Sequence, residues 1–361
     1  MGEQPSRQSR KLDHLHHALE LPDGPISAGF SDIHLIHNCL PSIDWQEITL
    51  ETKLLDWTLP QPLLLNAITG GAEDVLSVNG LLATFAAKTK MPMAVGSQYA
   101  ALEDSHFIES YRIVRKKNPD GIIFANLGAH ANVKQAELAV KMLEAQALQI
   151  HLNPAQELLM PEGDRDFSRY LNNIAEIAAA LAVPVIVKEV GFGMAREQVR
   201  ELLSTGIRAI DIGGAGGTNF AAIESSRQYP QPHEDFLRWG IPTVISAVET
   251  LQTVSDKLPV IVSGGVRTPL DAVKALSLGA ASVALATPFL QQILQESIQE
   301  TYQTFQRFLH DMKTIMLLTG ASKPQGLTQK PLIISGFCAE WLKQRGFSLH
   351  GYANRTTLAI D

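Results

Sequence analysis

Apolar, β-branched runs recur along the chain, and each ends in small or polar residues. The runs are 63–70 (LLLNAITG), 91–98 (MPMAVGSQ), 121–128 (GIIFANLG), 147–153 (ALQIHLN), 183–191 (VPVIVKEVG), 209–216 (AIDIGGAG), 258–265 (LPVIVSGG) and 282–287 (SVALAT). Near-continuous apolar runs of this length are strands covered on both faces, hence a parallel sheet. The gaps between them have room for crossover helices, and several carry helical signals. Asn132–Ala145 places Val133, Ala136, Val140 and Leu143 on one stripe. Phe167–Leu181 repeats the period, with Pro184 just beyond its end. Thr268-Pro269 supplies a cap and a first-turn proline for the segment that follows. Eight strand–helix units in about 225 residues predict an α/β fold, a (β/α)8 TIM barrel. An open doubly wound sheet is the alternative, but Gly70-Gly71 after the first run is not the GxGxxG of a dinucleotide fold.

Residues 1–62 precede the repeat and read as an N-terminal arm followed by an irregular segment with short strands, since Ser31–Thr58 alternates only weakly. The barrel then spans 63–290. Residues 291–345 form a C-terminal helical extension packed on it, with Gln291–Thr319 as one long amphipathic helix, and 346–361 are a mobile tail. The wide gap Thr218–Thr243 holds Arg227, Tyr229, His233 and Trp239 and reads as a long loop over the barrel mouth.

Composition narrows the setting. A chain of 361 residues with 45% hydrophobic and 19% charged content is an ordinary soluble globular protein. A net charge of −7 excludes a nucleic-acid footprint, and any anion it handles needs locally concentrated cations. Cys39 and Cys338 form no metal or disulfide spacing. Neither a signal peptide nor a membrane span is visible, so the expectation is a cytoplasmic protein.

In a barrel of this type the carboxyl ends of the strands share one mouth. That gathers Asn66, Ala67, Thr69, Ser97, Gln98, Asn126, His151, Asn153, Gln156, Glu157, Lys188, Glu189, Thr218, Gly264, Gly265 and Thr287. His151–Glu157 (HLNPAQE) is the densest cluster: an imidazole, two amides and a carboxylate where a strand stops. It reads either as a catalytic site or as a hydrogen-bond network at a strand terminus. Two glycine-rich turns, 212–218 and 262–266, offer backbone N–H groups to a phosphate or merely permit tight turns. Lys188, inside an apolar run, needs an anionic or electron-rich ligand, or a carboxylate such as Glu189 or Asp211.

Taken in order, Arg10-Lys11…His14, 67–71 (AITGG), 96–98 (GSQ), 124–128 (FANLG), 149–153 (QIHLN) with Gln156-Glu157, 187–193 (VKEVGFG) and Asp211-Ile-Gly-Gly…Thr218 resemble the type 2 isopentenyl-diphosphate isomerases. The likeness runs from about Arg10 to about Arg345. It implies an FMN-dependent barrel interconverting isopentenyl and dimethylallyl diphosphate, with reduced FMN as acid/base and NADPH as reductant. FMN would be held by Ala67, Ile68, Thr69, Ser97, Asn126, Lys188, Gly213 and Thr218, and its phosphate by Gly264, Gly265, Val266, Ala286 and Thr287. Glu157 would hold Mg²⁺, an oxygen-seeking ion. Arg10, Lys11, His14, Ser97, Gln98, Asn153 and Gln156 would bind the substrate, and Gln156, then His151, would assist the flavin. A homotetramer or homo-octamer is implied as well. The alternatives are an FMN-dependent α-hydroxy-acid oxidase or dehydrogenase on the same barrel, and a non-enzymatic phosphate sensor, which leaves the His151–Glu157 cluster without a task.

Overall fold

The computed structural model describes residues 21–67, 75–226 and 234–355, and all eight expected strands are present. They are β1 (Leu63–Leu65), β2 (Met93–Ala94), β3 (Ile123–Gly128), β4 (Ala147–Leu152), β5 (Val185–Glu189), β6 (Ala209–Asp211), β7 (Val260–Ser263) and β8 (Ser282–Leu285). Every neighbouring pair is parallel, and Val283↔Leu63 to Leu285↔Leu65 join β8 to β1, closing the barrel.

Side chains alternate across a strand, so each contributes one set to the interior and one to the helices outside. The interior set is Leu64, Ala94, Phe124, Ala147, Ile186, Ala209, Ile261 and Ala284, one from each strand. Below this layer the hairpin Thr52–Leu54/Trp57–Leu59 plugs the barrel with Leu54 and Leu59, both almost wholly buried. Burying each leucine contributes roughly 2 kcal/mol. Trp57 packs its ring 5.6 Å from that of Phe124. The outward set, including Leu63, Met93, Ile123, Ile150, Val187, Val262 and Val283, joins the helices in the main core.

Capping chemistry sets several helix starts. Asn132 with Gln135 opens Val133–Leu143, and Thr268 with Asp271 opens Pro269–Leu278, each as a reciprocal capping box. The single helix expected over Gln291–Thr319 is instead two, Thr287–Gln295 and Ile298–Thr319. Ser297 breaks the run because its side chain and that of Glu300 cap a new helix start. The 290/291 boundary therefore falls inside a helix. Leu332–Ile334 pairs antiparallel with Ile33–Leu35, tying the extension to the N-terminal segment. Several residues between 346 and 355 pack against the rest of the chain. Tyr352 is buried, Ser348 O accepts from Gln252, and the Arg355 guanidinium donates to Ser277 O and Lys330 O. No helix among the described residues is long and apolar enough to cross a membrane.

Candidate active site

Two residues along six of the eight strands from the apolar layer, the interior turns polar. Asn66, Asn126, Gln149, Lys188, Asp211 and Ser263 occupy that level, none more than 7% exposed. Polar groups this deep are costly unless bonded, and here they bond to one another. Lys188 Nζ lies 3.5 Å from Asp211 Oδ2 and donates to Glu189 O at 2.9 Å. Asp211 also accepts from the Asn66 amide at 2.8 Å and from the Ser263 hydroxyl. Of the two carboxylates considered for Lys188, the structure places Asp211 beside its ammonium. The Glu189 carboxyl is directed to the backbone N–H groups of Gly191, Phe192 and Gly193. Burial outweighs those donors and pushes its pKa up to about 8.

Above this level, His151 Nδ1 is 2.9 Å from Asn126 Oδ1. The turn after β4 becomes the short helix Pro154–Leu159. From it Gln156 donates to the fully buried Glu224 at 2.9 Å. Glu157 is held from both sides: Asn153 Nδ2 donates to one oxygen at 2.8 Å and the Asp164 N–H to the other at 2.9 Å. Asn153 Oδ1 is buried with no hydrogen-bond partner among the described residues, an acceptor suited to a ligand's donor or a water. Nearby, burial raises the Tyr170 pKa first, and the Glu157 charge adds to the rise.

Both glycine turns are glycine for steric reasons of their own. Gly213 and Gly264 have φ +48° and +103°, and a Cβ there would meet Glu189 O at 1.9 Å and Gly214 O at 2.0 Å. Tight-turn geometry is thus real, and it brings the backbone of the two turns to the cavity wall. The N-terminus of Thr287–Gln295 reaches the same wall, where Thr287 Oγ1 is 2.7 Å from Thr218 Oγ1.

One cavity of about 720 Å³ opens above the polar level at the strand carboxyl ends. Of the expected residues it brings together Asn66, Ala67, Ser97, Asn126, His151, Asn153, Gln156, Glu157, Lys188, Gly213, Thr218, Gly264, Gly265, Ala286 and Thr287. Three others sit behind its wall, Glu189 among them, with its carboxyl on the backbone N–H groups of the following turn. Gln98 is fully buried, donates to Ala139 O at 3.0 Å and accepts from the Asn126 N–H, bracing Asn126 from behind. Val266 is packed in the core. Arg10, Lys11, His14, Ile68 and Thr69 lie outside the described residues, as do Arg227, Tyr229 and His233 of the long loop. Sequence reasoning missed Gln149 and Glu224, and with them Arg165 and Arg267 on the rim. Gln149 had a signal: it is polar within the apolar run that precedes His151, and it pairs in register with Asn126. Glu224 had none, being an ordinary helix residue by sequence.

A family model for FMN-dependent dehydrogenases matches residues 117–334. The chain is 44% identical to the isopentenyl-diphosphate delta-isomerase of Staphylococcus saprophyticus over 343 residues, covering 95% of this chain and 98% of that protein. It is 46% identical to the Geobacillus sp. (strain WCH70) enzyme, covering 97% of this chain and all of the other. The chain belongs to the isopentenyl-diphosphate delta-isomerase family. Among solved structures, a flavocytochrome b2 mutant aligns with TM-score 0.67 and 20% identity over 93% of this chain and 85% of that one. A lactate oxidase of Pediococcus acidilactici aligns with TM-score 0.65 and 16% identity over 90% and 87%. At such identities the likeness is one of fold, and the fold is the TIM barrel.

The residues of this isomerase-family chain fit FMN. The wall offers two glycine turns and a helix N-terminus to a phosphate. The floor offers a buried ammonium and a row of amides to a polar ring system.

Proposed function

We infer that the protein interconverts isopentenyl and dimethylallyl diphosphate, a 1,3-allylic double-bond shift with no net redox change. The observation that carries this is full-length relatedness to enzymes of that name, at 44–46% identity, joined to a cavity built around His151–Glu157. Bound reduced FMN supplies the acid/base chemistry at the alkene. Lys188, fixed by Asp211, presents positive charge to the cofactor from the floor. The turns at Gly213 and at Gly264–Gly265, with Ala286 and Thr287, take its phosphate, and Ala67, Ser97, Asn126 and Thr218 border its rings.

Substrate charge is the next problem. Glu157, Glu162, Asp164 and Asp166 all line the mouth, so a diphosphate entering there needs compensation. Mg²⁺ on Glu157 provides part of it. Among the described residues no group of three or more His, Cys, Asp or Glu could hold a metal alone. That suits Mg²⁺, which commonly takes one or two carboxylates plus phosphate oxygens and waters. Arg10, Lys11 and His14 of the arm, with Asn153, provide the rest. Gln156, oriented by Glu224, and His151, oriented by Asn126, hold the reacting end and exclude water. NADPH as reductant, a cytoplasmic setting and a tetrameric or octameric assembly complete the reading.

An anaerobic assay with isopentenyl diphosphate, Mg²⁺ and FMN, with and without reductant, tests it. Dimethylallyl diphosphate is expected only when the flavin is reduced. Bound flavin with no isomerisation, and reduction of that flavin by 2-hydroxy acids, would replace the reading with the oxidase one.

A further inference from the structure

A chain of side-chain hydrogen bonds crosses the barrel interior from Asp211 to His151, and its direction can be read from its ends. Asp211 is fully buried and surrounded by donors: the Lys188 ammonium, the Ser263 hydroxyl, the Gly213 N–H at 3.3 Å and the Asn66 amide at 2.8 Å. A carboxylate so placed only accepts. The face of Asn66 turned towards it is therefore the NH₂. The Asn66 oxygen, held also by the Ala67 N–H at 2.9 Å, must then face Gln149. Gln149 gives its NH₂ to that oxygen at 3.4 Å and its own oxygen to Asn126 Nδ2 at 3.3 Å. This leaves Asn126 Oδ1 opposite His151 Nδ1 at 2.9 Å. An amide oxygen cannot donate, so Nδ1 carries the hydrogen. Each amide in the row has its orientation imposed by the one before it, and the carboxylate imposes the first.

We propose that this chain fixes neutral His151 as the Nδ1–H tautomer, leaving Nε2 as the only ring atom able to gain a proton. Gln149 is the positioning residue that transmits the constraint. It is wholly buried and does not itself line the cavity, whereas His151 does. A side chain at Gly128 would crowd Nε2, since a Cβ built there would stand only 3.2 Å from it. Neutral His151 is thus an acceptor towards ligand O–H or N–H groups. Once protonated it becomes a donor at the same atom, suited to a phosphate oxygen. The inference stands on the amide row and does not depend on which substrate is turned over.

Nitrogen-15 NMR of the FMN-loaded protein labelled in histidine tests it, recorded where the ring is neutral, with His151→Gln identifying the signal. Nδ1 is expected as the protonated, pyrrole-type nitrogen and Nε2 as the pyridine-type one. In Gln149→Leu the orientation of Asn126 is released, and the Nδ1–H preference falls by roughly five-fold, the weight of one net hydrogen bond. Adding Asn126→Asp to that variant restores the preference, because a carboxylate accepts from Nδ1 whatever its neighbours do. A wild-type ring protonated at Nε2 overturns the proposal, as does a Gln149→Leu spectrum identical to wild type. Should Gln149→Leu not fold, the wild-type ring and Asn126→Asp alone still decide it: both are expected as Nδ1–H, and Nε2–H in either overturns it.

Discussion

Replacing Gly264 by alanine separates the two tasks that a glycine turn can have at a phosphate site. Its φ of +103° is strained for any L side chain, and the new Cβ would stand 2.0 Å from Gly214 O and 2.8 Å from Thr243 Oγ1. Thr243 is itself committed, donating to Gly264 O at 2.7 Å. The backbone strain is on the order of 1–3 kcal/mol, and forcing atoms into a packed site adds a similar amount. A loss of about 3 kcal/mol in the flavin-free protein is therefore expected. Gly346→Ala isolates the strain: it shares a positive φ of +78° but meets nothing within 4 Å, so it should cost only about 1 kcal/mol. Denaturant midpoints of the flavin-free variants, followed by FMN titration, provide the measurement. Both stability and FMN affinity should fall in Gly264→Ala. A variant as stable as wild type that has lost only FMN would refute the packing argument and leave ligand approach as the sole reason for the glycine.

Lys11→Ala should raise the KM for the diphosphate strongly with FMN affinity nearly unchanged, as read from steady-state kinetics and flavin titration; an unchanged KM takes the arm out of the site. Glu157→Gln should lower activity in a way that excess Mg²⁺ partly restores, and identical Mg²⁺ dependence in the two proteins would remove Glu157 as the ligand. Arg345→Met should destabilise the chain by about 3 kcal/mol, because it takes the cation from the Glu249 carboxylate, whose side chain is 0% exposed and would keep only the neutral donors Trp341 Nε1 and the Arg196 N–H; a denaturant midpoint equal to wild type would show the clamp to be idle. The same clamp gives a pH dependence. Hydrogen bonding to Arg345 lowers the Glu197 carboxyl from 4.5 to about 2, so its contribution is complete above pH 4.5 and is lost as pH falls from there towards 2. Arg345→Met should flatten stability across that acid window, and an unchanged acid slope would assign it to other carboxylates.

The barrel was legible because its strands are covered on both faces and so read as apolar runs of strand length. The cap at Thr268 and the stripe of Asn132–Ala145 were legible for the same local reason. What sequence could not show was side-chain direction. Ser97 and Gln98 are neighbours at one strand end, yet only Ser97 faces the cavity. Gln98, in the turn that opens the helix Tyr99–Glu103, points back to the helix carbonyl of Ala139. Nor could it show pairings distant in the chain, such as Gln156 with Glu224 or Arg267 with Asp23. The break at Ser297 was visible in principle, since Ser-x-x-Glu is a capping box, but the apolar period continues through it and hides the stop.

Side-chain alternation along a strand explains why one barrel interior serves as both core and site. Leu64 and Asn66, Phe124 and Asn126, Ala147 and Gln149, Ile186 and Lys188, Ala209 and Asp211, and Ile261 and Ser263 are pairs two residues apart on one strand face. The first member of each pair packs with the Leu54–Leu59 plug, and the second joins the polar floor. An apolar floor would be easier to bury, but it could not orient a histidine or hold an ammonium under a ligand. A polar floor of unlinked amides would leave buried donors unsatisfied. Closing the row on the Asp211 carboxylate satisfies it and gives it a direction, so the layer that costs most to bury is also the one that orders the groups above it.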